Sequence, residues 1–540
     1  MPDGIFQIRK PANEPVLTYA PESRERKELQ RRLKDMLESP IEIPCLIGGR
    51  EVATGNLVEI KAPHNHRQIL GSYHSAGLQE AKMAIDAALE ARKIWSEMDW
   101  SVRGRILLKA AELLSGRYRQ TVNAATMLSM SKTCHQAEID AACELIDFWR
   151  FNPWLMTEIY ASQPASLQET FNCLEYRPLE GFVFAVSPFN FTSIAGNLGT
   201  APALMGNTVV WKPATPTILP AYFLMRILQE AGMPDGVINM LPGPGPVLGP
   251  PVLNHSDLSG VHFTGSTEVF ASIYRTIGLD IRRYRSYPRI VGETGGKDFV
   301  FAHASADVEA LVAAVVRGGF EFQGQKCSAA SRVYVPDTLW PEVKSCLLDE
   351  VATIRVGDVC DFSNFMNAVI DRKAFKKISG YLEHARADND LDILCGDCDD
   401  SEGYFIQPTV VESRDPRSRL MCEEIFGPVV TIHVYPAKDF EETLRLCDTT
   451  SPYALTGCIF ARDRSAIETA VAALRQAAGN FYINDKPTAA VVGQQPFGGA
   501  RASGTNDKAG SRLNLERWTS PRAIKETFVP PTDYRYPFLK

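Results

Sequence analysis

Residues 181–213, GFVFAVSPFNFTSIAGNLGTAPALMGNTVVWKP, carry the reading that decides the fold. The stretch opens on an apolar run, GFVFAVSP, that a proline ends. It closes on another, NTVVWKP, that a Gly-Asn turn introduces. Short apolar runs rich in Val and Phe, bounded by turn residues, read as strands buried on both faces. GVINMLPGPGPVLG (236–249) and LSGVHFTGST (258–267) follow with the same grammar, and helical patterns separate the strands. Alternation of this kind predicts an α/β fold with parallel sheets. Each of these strands ends in Gly, Pro, Ser or Thr, and in open parallel sheets ligands bind beyond the strands' carboxyl ends.

At 540 residues the chain is too long for one core, so two or more domains are expected. With 45% apolar and 22% charged residues and a net charge of −7, it reads as globular. It has no basic block, which argues against a nucleic-acid partner, and no apolar run long enough for a membrane helix. The first residues lack a secretory apolar stretch and carry acids that a transit peptide would avoid; a leader already removed would leave no trace. The twelve cysteines lack framework spacing and are expected to be reduced. Cys395 and Cys398 form a Cys-x-x-Cys without a second pair, so no metal site is expected.

Chemistry concentrates in FQGQKCSAASRVYV (322–335). A helix is predicted before it, capped by Ser305, with Asp307 and Glu309 at its positive end and Val308, Leu311, Val312, Val315 and Val316 on its buried face. Gly318 and Gly319 weaken its end. Cys327 is then expected on a loop ahead of a strand, with Gly324 allowing close backbone approach and Lys326 able to favour a thiolate. The ordinary alternative is a small buried hydrophobe. Glu293, in RIVGETGGKDFVF (289–301), is a carboxylate at a strand end beside glycines, or simply an exposed acid in a turn. Asn190, in SPFNF (187–191), can donate to an oxyanion, or serve as a turn-forming Asn.

SPFNF, VVWKPATPT, FTGSTE, GETGGK, GQKCSA, EEIFGPVV and QPFGGARASGTND stand in this order along nearly the whole chain. Together they resemble the aldehyde dehydrogenase superfamily. EIDAACELIDFWRFN, GQKCSAASRVYVP, NFYINDK and VGQQPFGGARASGTNDKAG resemble the branch that oxidises L-glutamate γ-semialdehyde in proline breakdown. The resemblance implies a Rossmann-type NAD-binding domain (1–160 and 181–295), an α/β catalytic domain (296–510), and an oligomerisation flap and tail (161–180 and 511–540). It implies Cys327 as nucleophile, Glu293 as base and Asn190 as oxyanion donor. NAD would be bound by Ser187, Lys212, Gly265, Ser266, Thr267, Glu424 and Phe426. Glu144, Lys326, Ser328, Ala489, Ala490 and Phe497 would hold the substrate. A homo-oligomer is implied, in the cytoplasm or alternatively the mitochondrial matrix.

Residues 160–179 read as a two-stranded excursion, and the tail from about residue 512 as extended; each packs on another subunit or stays a surface feature. GPGPVLG (243–249) lacks the G-x-G-x-x-G spacing. Three positions depart from the family pattern: Phe270 for glycine, Thr215 where an acid helps select NAD, and Ala489 for glycine, which would be strained at positive φ. Competing readings are a dehydrogenase for another semialdehyde, a cysteine hydrolase using a Cys-His pair, and a non-catalytic NAD-binding protein.

Overall fold

The structure, a computed structural model, describes residues 7–539. Two seven-stranded sheets organise it. The first runs Arg289–Glu293, Leu258–Thr264, Phe182–Val186, Thr208–Lys212, Ile238–Met240, Cys45–Ile47, Arg50–Val52. Its strands from Arg289–Glu293 to Ile238–Met240 are parallel, and the hairpin Cys45–Ile47/Arg50–Val52 adds an antiparallel edge. The chain winds outward from Phe182–Val186 in one direction, then returns to its other side at Leu258–Thr264. That reversal is a topological switch point, where helices leave opposite faces and open a crevice.

The second sheet runs Leu391–Cys395, Thr409–Ser413, Val429–Tyr435, Ala330–Pro336, Asp298–Ala302, Thr456–Phe460, Asn480–Ile483, parallel except for its first pair. Residues 294–297 alone join the last strand of the first sheet to Asp298–Ala302. The seam between the sheets therefore lies at Glu293.

The expected helix is Val308–Phe320. Its cap is Asp307 rather than Ser305: Asp307 Oδ1 accepts from Ala310 N at 3.1 Å. Ser305 Oγ is occupied elsewhere, accepting from Arg462 N (3.0 Å) and Asp463 N (2.9 Å). Gly318 and Gly319 do not end the helix; a side chain at Gly319 would run into Val430 of the neighbouring strand, so glycine there permits close packing.

The two-stranded excursion is one strand, Thr170–Pro178, and its antiparallel partner is the tail strand Thr519–Thr527. Residues 161–169 return beside it mainly through side chains, with Leu174 N donating to Gln163 Oε1 (2.7 Å) and Asn172 N to Ser166 Oγ (2.8 Å), and through one backbone bond at the turn, Thr170 N to Leu167 O (3.2 Å). Trp518, just before the tail strand, is buried in the core of the first sheet, against His262. All twelve cysteines are free. No described helix is long and apolar enough to cross a membrane.

Candidate active site

Cys327 follows the helix Val308–Phe320 through an unusual turn. Phe322, Gln323 and Gly324 are all left-handed, at φ of 51°, 56° and 63°. For non-glycine residues that conformation costs roughly 1–2 kcal/mol each, so other contacts must impose it. Gln323 supplies them: its Nε2 donates to Ser131 O (2.9 Å) and Ala368 O (2.7 Å), and its Oε1 accepts from Asn367 N (3.1 Å). Gly324 is needed for the reason that any Cβ there would strike the Gly427 carbonyl. The close approach that Gly324 permits is to the Gly427 backbone. The turn delivers Cys327 half-buried, ahead of Ala330–Pro336 as the sequence predicts.

Lys326 does not serve the thiol as expected. Its ammonium is buried and donates to Glu321 Oε2 at 3.0 Å. That pairing outweighs the burial of Glu321 and holds its carboxyl down at about 2. Cys327 is instead pushed well above the usual thiol range, by burial first and then by the charges of Asp298, Glu293 and Glu424.

Glu293 ends its strand at the seam. Its main chain is clamped, with its carbonyl accepting from Gly265 N (3.2 Å) and its backbone bridged to Gly504. The carboxylate lies against Gly498, where a Cβ would stand 2.9 Å from Oε1. Oε2 is buried without a hydrogen-bond partner among the described residues. Burial raises this carboxyl well above the ordinary range, with Lys508 opposing. Lys508 went unnoticed in the sequence although its motif was recognised. It is left-handed (φ 53°) and donates to Gly479 O (2.8 Å) and Gly498 O (2.9 Å).

Asn190 is buried and its Nδ2 donates to Gln325 O at 3.1 Å. A carboxamide has two N–H donors; fixing one on the loop before Cys327 orients the other. The Asn190 loop rests on a buried pair that sequence reading missed. Lys132 Nζ donates to Asp140 Oδ2 (2.7 Å), both side chains fully buried. The same carboxylate accepts from Thr192 N (3.0 Å) and Ser193 N (2.9 Å), capping the helix Thr192–Leu204. The ammonium sits 4.3 Å from the ring centroids of both Phe191 and Phe322. One ion pair therefore holds the residue after Asn190 and the turn before Cys327.

The other predicted cofactor residues surround the switch point. Ser187 Oγ accepts from Trp211 Nε1 (3.1 Å). Lys212 ends the next strand, and burial lowers its ammonium to about 8. Its Nζ donates to Pro213 O (3.1 Å), and among the described residues it has no anionic partner. The GPGPVLG segment becomes the start of a helix, Gly245–Leu253, beside the Lys212 stem. Gly265 leads to Ser266, which caps the helix Thr267–Leu279 by accepting from Val269 N (3.4 Å). From the second sheet, Glu424 Oε1 accepts from Gly296 N (2.9 Å), and Phe426, left-handed at φ 59°, packs edge-on to Phe189. A half-buried ammonium without an anionic partner among the described residues and a helix N-terminus beyond a switch point fit an anionic dinucleotide.

The predicted substrate residues come from three separate segments of the chain. Glu144 ends a wide helical turn, Glu138–Glu144, and burial with Asp140 nearby raises its carboxyl to about 8. Lys326 and Glu144 both act on Lys132, so the three share one neighbourhood. Ser328 is buried. Ala489 and Ala490 are half-buried in a loop that continues through Val492 and Gly493 against Phe148 and Phe151. Ala489 does not have positive φ, so alanine there is unstrained; Gly493 takes that conformation instead (φ 80°). Phe497 is bridged to Ala509 by paired backbone bonds of 3.1 and 2.8 Å. Phe270, in place of glycine, stacks on Phe263 and fills the space over Gly292, where a side chain would collide with it. Thr215 faces the Tyr73 hydroxyl.

A half-buried thiol after a left-handed turn, a strand-end carboxylate and a switch-point crevice meeting at one seam fit an oxidoreductase of the aldehyde dehydrogenase family, and this chain belongs to that family, whose model matches residues 51–524. Particular relatives are closely similar over their whole length. The chain is 51% identical over 536 residues to "Delta-1-pyrroline-5-carboxylate dehydrogenase, mitochondrial" of Dictyostelium discoideum, covering 98% of this chain and 96% of that one. It is 49% identical over 533 residues to the human protein of the same name, covering 98% and 95%. Its structure matches that of the Mycobacterium tuberculosis Delta-pyrroline-5-carboxylate dehydrogenase bound with NAD, with a TM-score of 0.96, 50% identity and 100% of each chain covered.

Proposed function

We propose that the chain oxidises L-glutamate γ-semialdehyde, the open form of Δ1-pyrroline-5-carboxylate, to L-glutamate with NAD, the second oxidation of proline breakdown. The observation that carries this reading is the meeting of Cys327, Glu293 and Glu424 at the seam of the two sheets, close enough for both carboxylates to raise the thiol. Full-length similarity to pyrroline-5-carboxylate dehydrogenases supports the choice of substrate.

Cys327 attacks the aldehyde carbon as a thiolate, forming a C–S bond and an oxyanion. The free N–H of Asn190 and the Cys327 backbone N–H hold that oxygen. Bound NAD supplies the hydride acceptor. Ser187, Lys212, Ser266, Thr267, Glu424 and Phe426 would hold it, with Gly265 keeping the approach open. The chain is left with a thioester on Cys327. Glu293 takes a proton from water, the hydroxide adds to the thioester carbon, and the C–S bond breaks to release the Cys327 thiolate and a carboxylic acid, which loses its proton to solvent. A carboxylate with raised proton affinity is a better base for that step than an exposed one. At the far end of the substrate, Glu144 faces the ammonium. Ser328 and the backbone N–H groups of Ala489 and Ala490 take the α-carboxylate, with Lys326 adding positive charge and Phe497 covering the carbon chain.

Residues 1–160 and 181–295 are assigned to NAD binding, 296–510 to catalysis, and 161–180 with 511–540 to oligomerisation. A homo-oligomer is supported by apolar side chains exposed on the ribbon, Phe171, Ile524 and Phe528, and by the open edge strand Asn480–Ile483 with exposed Ile483 and Val471 beside it. The relatives named mitochondrial favour the matrix over the cytoplasm.

The test is NADH formation by the purified protein with glutamate semialdehyde, succinate semialdehyde and propanal, alongside ester cleavage without NAD. Glutamate semialdehyde should give the highest kcat/KM. A higher value for either other aldehyde would assign a different substrate, and ester cleavage without NADH formation would remove the dehydrogenase reading.

A further inference from the structure

We propose that Asn13 is a positioning residue for the amino-acid end of the substrate, fastening the anchor loop to the helix that follows Glu144; this rests on the substrate reading above. Residues 10–19 form neither helix nor strand, yet they are held firmly. Leu17 N donates to Glu138 Oε1 (2.9 Å) and the Tyr19 hydroxyl to Glu138 Oε2 (2.8 Å). Glu14 pairs with Arg119 and Arg150, each at 2.5 Å, and Arg119 also pairs with the fully buried Glu138 and donates to Pro15 O (3.0 Å). Arg119 and Glu138 are among the most buried charged groups of the chain, so this strap is built into the domain rather than laid on it.

Asn13 stands at the end of the strap nearest the anchor loop and uses both ends of its amide. Nδ2 donates to Asp147 Oδ2 and to Val492 O, each at 2.7 Å, while Oδ1 accepts from Gln494 Nε2 at 2.9 Å. Asp147 is buried on the helix Leu145–Tyr160, which begins where the Glu144 turn ends, and its other oxygen accepts from Glu14 N (2.8 Å). Val492 and Gln494 lie just beyond Ala489 and Ala490. One side chain thus joins the element proposed to bind the ammonium to the element proposed to bind the carboxylate. The apolar contacts of Val492 and Gly493 with Phe148 and Phe151 dock the loop on this helix but are non-directional; the hydrogen bonds of Asn13 set where along it the loop stops. No other side chain of this size offers two donors and an acceptor in one plane. Aspartate would set a second carboxylate against Asp147.

The experiment compares the wild type and Asn13→Ala on glutamate semialdehyde and propanal, with amide hydrogen exchange of residues 489–495. Loss of these bonds should raise KM for glutamate semialdehyde about tenfold, leaving kcat and all propanal kinetics within about twofold. Exchange in 489–495 should quicken by about tenfold while the helix Thr267–Leu279 is unchanged. A parallel fall on both substrates, or unchanged exchange in the loop, would overturn the proposal. If Asn13→Ala does not fold, Gln494→Met removes one bond at the exposed rim and should give the same split at about two- to threefold; no split there overturns it equally. A wild type inactive on glutamate semialdehyde would sink the substrate reading, whereas loop exchange in Asn13→Ala would still decide the fastening.

Discussion

Asp140→Asn is nearly isosteric and should nonetheless disable the site. In the native protein Asp140 Oδ2 accepts from both Lys132 Nζ and Thr192 N, while Oδ1 accepts from Ser193 N. An asparagine oxygen can keep the Ser193 bond, but its NH2 then faces two donors. Lys132, fully buried between two aromatic rings, loses its counter-charge. Breaking a buried pair from one side costs about 3–5 kcal/mol, whereas replacing both partners by neutral groups costs far less. With about 1.4 kcal/mol per decade, Asp140→Asn should lower exchange protection around residues 187–193 and 320–327 by up to two to three decades. Turnover should fall with it, because both the Asn190 loop and the Cys327 turn rest on this pair. Lys132→Met combined with Asp140→Asn should recover much of the protection. Hydrogen exchange read by mass spectrometry, with NADH assays on the same preparations, measures both. Protection within a factor of about five of the wild type in Asp140→Asn would refute the support role, as would a double variant as loose as the two single effects added.

Glu293→Gln should show a burst of NADH followed by a slow steady rate, since thioester hydrolysis follows hydride transfer; equal loss of burst and steady rate in stopped flow would mean another role. Ser328→Ala should lower kcat/KM for glutamate semialdehyde about ten- to a hundredfold and hardly affect propanal, the scale of one hydrogen bond to a charged group; equal losses on the two substrates would make the serine merely a small neighbour of Cys327. The steady rate should climb with pH throughout the range above neutrality. Both Cys327 and Glu293 have raised pKa values and act deprotonated, so raising pH populates the active form of each; a rate falling across that range would contradict the assignment.

The parallel sheets were legible because strands buried on both faces are written as unbroken apolar runs such as FVFAV, and these need no distant partner to be recognised. The place of Cys327 was legible for a similar local reason, small and glycine residues between a helix and a strand. The shape of its turn was not. Phe322 and Gln323 have no intrinsic preference for left-handed backbone, and what imposes it is a set of bonds to Ser131, Ala368 and Asn367, as far as 192 residues away. Lys326 misled because adjacency in sequence says nothing of side-chain direction, and Glu321 captures it. Asp140 lay unremarked within a helical stretch, and the strap at residues 10–19 has no periodicity to read. Its partners Glu138 and Asp147 stand more than a hundred residues on.

Trp518 has a further consequence, for the order in which the molecule can be made. Its carbonyl accepts from Asn207 Nδ2 across 311 residues, and its ring lies in the core of the first sheet. A ribosome moving at about 5–20 residues per second needs roughly 15–60 seconds to travel that distance. Once its last strand, Arg289–Glu293, has been made, the first domain waits for the rest of that interval with a slot open over His262 and Gly260, the residues the indole covers. The nascent first domain therefore carries an exposed apolar gap until the segment around Trp518 emerges, so its core is closed by residues made after the whole second sheet.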